Sequence, residues 1–495
     1  MAQRHMDRLT SFDTSFLANE KSNGHMAIGA VLVCEGQPPS HEEFLASIRG
    51  RLHLLPRLRQ RLSYPPLGLG RPFWVDHAEF DVHEHVSRKV LAAPGSEEQF
   101  RAAVAETFAP PLDRSRPLWE LCLVEGMENG RFAIVYKTHH AMADGISAVD
   151  IGVLLFDVEP TTEPVPEPAP WEPKQAPSRV ALVGQAGRGF GQMFARAGRW
   201  LGAALRKPRR AAKRAADGIT GLWEVTWNLA KPAPKVPLNV EISPRRSFYE
   251  VRCDLDEFKA IKNALGGTVN DVTLAVTAGA LRGWMLDREL ETDGVELQAL
   301  VPVSIRTEDQ HGELGNKLTA MRGPLPVGIA DPVERVRFVS KAMNDLKASK
   351  QPLGAEAIWG LNDWFRDFAP PLLLGPTAAI NFSTRLFNLL VTNFPGPQIP
   401  FYVRGRELVE VYPVGFLARR HALAIAIISY NGAIGFGLLG DPSSTVDLEK
   451  IGAYIEAAVE ELRVAAGIAC PDDGDQLAGD SRPWAASSAD GSARG

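Results

Sequence analysis

The sequence predicts a mixed α/β protein built in two halves, and three observations carry that expectation. At 495 residues the chain exceeds the size at which single cores usually split, so two domains of roughly 150 to 220 residues are expected. In the first half an apolar, β-branched run passes directly into helical periodicity. A second strand-to-helix succession opens near Arg246, beyond a Pro-rich stretch.

Residues 1–157 make the first half. Phe132 to Thr138 reads as a strand, while Ile146, Val149, Val153 and Leu154 recur at helical spacing, so His139 and His140 end a strand. Residues 158–245 are a linker region. Pro160, Pro164, Pro166, Pro168, Pro170, Pro173 and Pro177, interleaved with Glu163, Glu167 and Glu172, make an extended segment that cannot pack a core. Ser178 to Arg214 then lacks any acidic residue and sets Val183, Phe190, Phe194, Ala197 and Leu201 on one helical face, with Arg188, Arg199 and Arg206 opposite. Such a helix either lies in a bilayer interface or docks its apolar face on the protein itself.

Residues 246–466 form the second half. Ser247 to Cys253 alternates like a strand, and Asp254 to Glu257 has capping-box spacing ahead of a helix that Gly266-Gly267 ends. Asn270 opens another helix, as N-cap or as part of a site. Ala424 to Tyr430, Asn431-Gly432 and Ala433 to Leu439 read as a hairpin with a type I′ turn, and residues 446 to 465 as a final helix. Residues 467–495, poor in apolar side chains, are expected to be disordered.

A 45% hydrophobic fraction, 23% charged residues and a net charge of −5 describe an ordinary globular protein and argue against a nucleic-acid partner. Cys34, Cys122, Cys253 and Cys470 have neither pairing nor metal spacing and suit a reducing cytoplasm. His83 and His85 have no third ligand nearby, so no metal is expected. No signal peptide and no uninterrupted apolar span is visible. The most apolar stretch, Phe368 to Ile380, is broken by Pro370, Pro371 and Pro376.

The stretch from His139 to Gly145 sets two imidazoles, the Asp144 carboxylate and a glycine at one strand-to-helix junction. Adjacent strand residues face opposite ways, so one imidazole can enter a cavity while the other packs. An imidazole titrating near neutrality can take a proton from an alcohol and return it to a leaving thiolate, which makes this an acyl-transfer pattern. The alternative is a packed histidine pair with Asp144 capping the next helix.

This order of strand, HHxxxDG and helix resembles the chloramphenicol-acetyltransferase and condensation-domain superfamily. Flanking residues narrow the resemblance to the bacterial wax ester synthase/diacylglycerol acyltransferases. Pro117-Leu118-Trp119 is similar to that family's PLW element and Asn270-Asp271 to its ND element. Pro302-Val303-Ser304-Ile305-Arg306 and Gly315-Asn316 resemble its PVSxR and GN elements. Phe12 to Leu17 and Met26 also follow its pattern. Thr392-Asn393-Phe394-Pro395-Gly396-Pro397 departs from it, with threonine where serine is commoner.

The resemblance implies two chloramphenicol-acetyltransferase-like α/β halves with mixed sheets flanked by helices and a tunnel at their interface. It implies transfer of a fatty acyl group from acyl-CoA to a diacylglycerol or a long-chain alcohol, with no cofactor and no metal. His140 would be the general base, His139 a packing or tautomer-setting neighbour, Asp144 and Gly145 the loop's support, and Arg306 a possible ion-pair partner of Asp144. Asn270 or a backbone N–H would stabilise the oxyanion, with Pro117, Leu118, Trp119, Asp271, Ser304 and Arg306 as the substrate-binding set. A cytoplasmic enzyme of this kind would work at a membrane or lipid-inclusion surface. Two rivals are a condensation-type enzyme using a carrier-bound acyl donor and a non-catalytic lipid-droplet protein.

Overall fold

Two six-stranded sheets dominate the computed structural model, which describes residues 7–20, 23–66, 71–142, 152, 155–163, 170–175, 232–304, 318–348 and 384–469. Strands β1 (Asp7–Arg8), β3 (Gln60–Ser63) and β4 (Phe73–Asp76) make a small separate sheet. The first large sheet takes β2 (Ala27–Glu35), β5 (Val86–Val90), β6 (Trp119–Met127), β7 (Arg131–His139), β12 (Phe401–Val403) and β13 (Arg406–Val414), in the order β12-β13-β2-β7-β6-β5. The second takes β8 (Ser247–Asp254), β9 (Leu297–Ser304), β10 (Leu318–Leu325), β11 (Leu389–Pro395), β14 (Leu423–Tyr430) and β15 (Ala433–Gly440), in the order β10-β9-β11-β14-β15-β8. Both are mixed: β5 runs parallel to β6, and β11 runs parallel to β9 and β14. The mixed α/β class and the two sheet-containing halves are those the sequence predicts.

Seven α-helices are described: α1 (Ser11–Asn19), α2 (His41–Arg51), α3 (Glu97–Phe108), α4 (Leu255–Leu265), α5 (Val269–Leu286), α6 (Pro332–Ala348) and α7 (Leu448–Ala465). Thr10, Ser40 and Ser96 start the first three with reciprocal capping boxes to Asp13, Glu43 and Gln99, which satisfy two orphan donors at each start. Helix α5 is buried along most of its length and packs against α6 and α7.

Both faces of the first sheet are covered, so its strands read as continuous apolar runs. Along β7, Phe132, Ile134 and Tyr136 enter the core shared with α2, while Ala133 and Val135 enter the larger core that joins both halves. That second face carries α3, which also packs on β8. The chain crosses over once more: β12 and β13 come from beyond residue 400 yet complete the first sheet beside β2. The boundary at residue 246 therefore divides the chain but not the sheets. Where β13 lies over β15 the backbones touch, and a Cβ at Gly437 would collide with the Pro413 carbonyl.

Several local expectations meet the structure. The strand before the histidines spans Arg131–His139, and Asn431 and Gly432 both have positive φ (42° and 80°), as a type I′ turn requires. Asp254 caps α4, but without the expected reciprocal box: Glu257 instead lies 3.8 Å from Arg463. The Pro-rich linker, where described, forms neither helix nor strand. Trp171 donates to the His77 carbonyl at 3.0 Å and stacks under the Arg59 guanidinium, tying the segment to the first half. The amphipathic segment Ser178 to Arg214, Phe368 to Ile380 and the tail from Cys470 lie outside the described residues.

Candidate active site

Strand β7 ends at His139, and His140 begins a 3₁₀ turn, His140–Met142. The His139 side chain falls on the same face of β7 as Ala133 and Val135 and is 1% exposed. Its N–H bonds the Leu118 carbonyl at 3.0 Å, and its Nδ1 accepts the Ala141 N–H at 3.0 Å. With Nδ1 an acceptor, the neutral ring carries its proton on Nε2. Nε2 faces the Glu20 carboxylate at 3.5 Å, longer than an ordinary hydrogen bond.

His140 takes a different environment. Its backbone N–H bonds the Met26 carbonyl at 2.9 Å, and its ring stacks on Phe16 at 3.8 Å between centroids. Phe416, in the segment between β13 and β14, meets the ring edge-on at 5.7 Å. The imidazole is thus walled by aromatics from both ends of the chain. Burial, with a smaller contribution from the neighbouring His139, pushes its pKa down to about 4. At neutral pH it is unprotonated and can accept a proton.

Around the pair lies a polar support that sequence reasoning missed. Burial by itself would raise the Glu20 carboxyl, but hydrogen bonding from His139 and Arg114 and the Arg114 charge hold it down at about 2. Arg114 grips it with two bonds, at 3.0 and 2.5 Å, and also donates to the Leu17 carbonyl. Lys137, likewise buried on β7, donates to the Thr107 and Pro110 carbonyls at the end of α3. Glu20 and Phe416 of this surrounding set lay outside the segments the sequence marked.

The ND element is placed differently from expectation. Thr268, not Asn270, caps α5, and Asp271 closes its capping box: the Asp271 N–H donates to Thr268 Oγ1 at 3.2 Å, and Oδ2 accepts the Thr268 N–H at 2.9 Å. Asp271 is buried, and its Oδ2 and backbone N–H are engaged in capping its own helix. Asn270, one position earlier, accepts from Asn393 Nδ2 at 3.1 Å, so the ND and Thr392–Pro397 elements meet. In the PLW element Leu118 and Trp119 are fully buried. Trp119 stacks on His85 and donates to the Leu58 carbonyl at 2.7 Å, which puts its ring in the outer core of the first sheet.

Asp144, Gly145 and Arg306 lie outside the described residues, as does the side chain of Ser304, whose backbone ends β9 opposite Leu318. Among the described residues no group of three His, Cys, Asp or Glu side chains could hold a metal ion. No helix among them is long and apolar enough to cross a membrane.

The model of the wax ester synthase/diacylglycerol acyltransferase catalytic domain matches residues 9–273, and that of the WS/DGAT C-terminal domain matches residues 314–463. The chain belongs to this family. It is accordingly an acyltransferase of the wax ester synthase/diacylglycerol acyltransferase type. The probable diacylglycerol O-acyltransferase tgs1 of Mycobacterium tuberculosis is 32% identical over 459 residues, 92% of this chain and 96% of that protein. The tgs2 protein of the same organism, with the same description, is 30% identical over 475 residues, 94% of this chain and 100% of the relative. Among solved structures, the wax ester synthase/diacylglycerol acyltransferase from Marinobacter aquaeolei VT8 shares the fold with a TM-score of 0.64 at 24% identity, covering 93% of this chain and 100% of that one. The first condensation domain of the calcium-dependent antibiotic synthetase shares it at 0.56 and 16% identity, covering 93% and 96%.

Proposed function

We propose that this family member moves a fatty acyl group from acyl-CoA to the hydroxyl of a diacylglycerol or a long-chain alcohol, with His140 as general base. The observation that carries the reading is the state of His140: an unprotonated imidazole at a strand end, walled by Phe16 and Phe416 where the two halves meet. His140 takes the hydroxyl proton as the alcohol oxygen attacks the thioester carbonyl. When the tetrahedral intermediate collapses, the carbon–sulfur bond breaks and the imidazolium protonates the departing CoA thiolate. The products are an ester and free CoA. Burial, which disfavours a standing imidazolium, favours the return of that proton.

The intermediate's oxyanion needs a preorganised donor. Asn270 suits this role, because its carbonyl oxygen is occupied by Asn393 while its Nδ2 group remains to donate. Pro117, Leu118 and Trp119 act from the core, where the Leu118 carbonyl anchors the backbone of His139. Asp144, Gly145, Ser304 and Arg306 keep the roles that the resemblance implies, and substrates reach His140 along a tunnel at the seam between the halves.

The deciding assay incubates purified protein with labelled palmitoyl-CoA and either dioleoylglycerol or hexadecanol. Triacylglycerol or wax ester is expected, lost in His140→Ala. Acyl transfer only from a carrier-protein thioester would replace this reading with the condensation-type one. We further propose that the segment Ser178 to Arg214 attaches the enzyme to anionic membrane or lipid-inclusion surfaces, supported by its segregated arginines. Charge reversal at Arg188, Arg199 and Arg206 should then abolish co-sedimentation with anionic vesicles. Unchanged binding would assign the helix to internal packing.

A further inference from the structure

One largely buried carboxylate meets His139 directly and His140 through the backbone of Met26, without being part of the motif. Glu20 follows α1, and each of its oxygens has a separate task. Oε2 faces Nε2 of His139 at 3.5 Å and takes both Arg114 bonds. Oε1 accepts the Met26 N–H at 3.4 Å, and the Met26 carbonyl in turn accepts the His140 N–H at 2.9 Å. Two short chains therefore converge on one carboxylate, one through the His139 ring to the Ala141 N–H and one through Met26 to the His140 backbone. Together they span the turn that aims the His140 ring between Phe16 and Phe416.

We infer that Glu20 is the positioning residue of the histidine motif: anchored by Arg114, its carboxylate holds His139 as the Nε2–H tautomer and fixes the backbone from which the His140 imidazole projects. The inference rests on His140 being the base, and it adds how that base is aimed. A carboxylate is needed in place of an amide because both oxygens face donors, Met26 N–H at one and Arg114 and His139 at the other, and an amide would turn its own NH2 group toward one of them; the charge matched by Arg114 strengthens these contacts. The Glu20 carboxyl stays ionised throughout the working pH range, since its neighbours hold it far below the usual carboxylate value.

Three measurements test this. In the unsubstituted protein, long-range ¹H–¹⁵N correlation of the imidazoles should report a His139 protonated on Nε2; protonation on Nδ1 would overturn the inference whatever the activity. Glu20→Gln should lower kcat about tenfold to a hundredfold with both KM values within about threefold, as expected of a misaimed base. A raised KM with kcat kept would instead make Glu20 a binding residue. Glu20→Asp, which keeps the charge but withdraws it by one methylene, should fall between the two and serves if the Gln variant does not fold. Combining Glu20→Gln with His140→Ala separates this idea from the reading beneath it. If Glu20 acts through His140, the double variant retains the same residual rate as His140→Ala alone, whereas a further multiplicative loss refutes the positioning role. Full activity in His140→Ala by itself would reject the general-base assignment, leaving the His139 tautomer result to stand or fall separately.

Discussion

At His140 the same burial that keeps the imidazole neutral also sets how it responds to pH. Its pKa lies near 4 against an ordinary value of 6.5, so an unfolded chain binds more protons than the native one between those values. Folding should therefore weaken as pH falls through that window and be indifferent to this group above it. For activity, the acid limb of the kcat/KM profile is expected near pH 4 and not near 6.5; an inflection at the ordinary imidazole value would mean that the ring is solvated in the working enzyme. His140→Ala should cost about 100-fold to 10,000-fold in kcat, the usual worth of general base catalysis, with a melting temperature close to the parent's. His139→Ala should lose both activity and stability, because it leaves the Ala141 N–H and the Glu20 carboxylate without their partner. Burial pushes the Cys34 thiol far up and the Cys253 thiol up to about 12, so neither of these two is a ready acyl carrier. Sequential kinetics are expected, with intersecting lines when acyl-CoA and alcohol are varied together. A hydroxylamine-sensitive acyl label on the denatured protein would contradict this.

At the scale of elements, the start of α5 is where the sequence was hardest to read. Thr268, Val269 and Asn270 follow Gly266-Gly267, and two of the three, Thr268 and Asn270, are good cap residues. What decides between them is the Asp271 carboxylate, which can close a ring only with the residue three before it. Thr268→Ala should accordingly lower stability by about 0.5 to 2 kcal/mol, read from denaturant midpoints, whereas Asn270→Ala should spare stability and lower kcat. The strand carrying the histidines and the hairpin at Asn431-Gly432 were legible because each is specified within a few residues, by an apolar run and by two positive φ angles. Glu20 was not legible. Its partners Arg114 and His139 lie about a hundred residues further on, and no local spacing connects them. A longer separation hid Phe416, and what the Trp119 ring packs against emerges only when Leu58 and His85 are brought to it.

Across the whole molecule the halves are joined by a buried ion pair as well as by apolar packing. Arg101 of α3 reaches Glu250 of β8 at 2.8 Å while lying over the Tyr249 ring. Burial raises the Glu250 carboxyl to about 7, with Arg101 pulling the other way. A folded-state value above the ordinary 4.5 means that the native protein holds the extra proton, so this group's contribution to stability declines as pH rises from about 4.5 through 7. Glu250→Gln should flatten that part of the pH–stability curve. Glu250→Ala, which strands Arg101, should destabilise by about 3 kcal/mol, the lower end for a broken buried pair because Arg101 is partly exposed.

The loan of β12 and β13 to the first sheet also fixes an order of events during synthesis. Until residues 401–414 have left the ribosome, β2 presents an open edge of unpaired backbone groups, the kind of template on which nascent chains aggregate. The half that contains the histidines is begun first but closed only after most of the second half has been made. Chains stalled before residue 400 should consequently bind holdase chaperones and resist refolding alone, as pull-down and refolding yields would show.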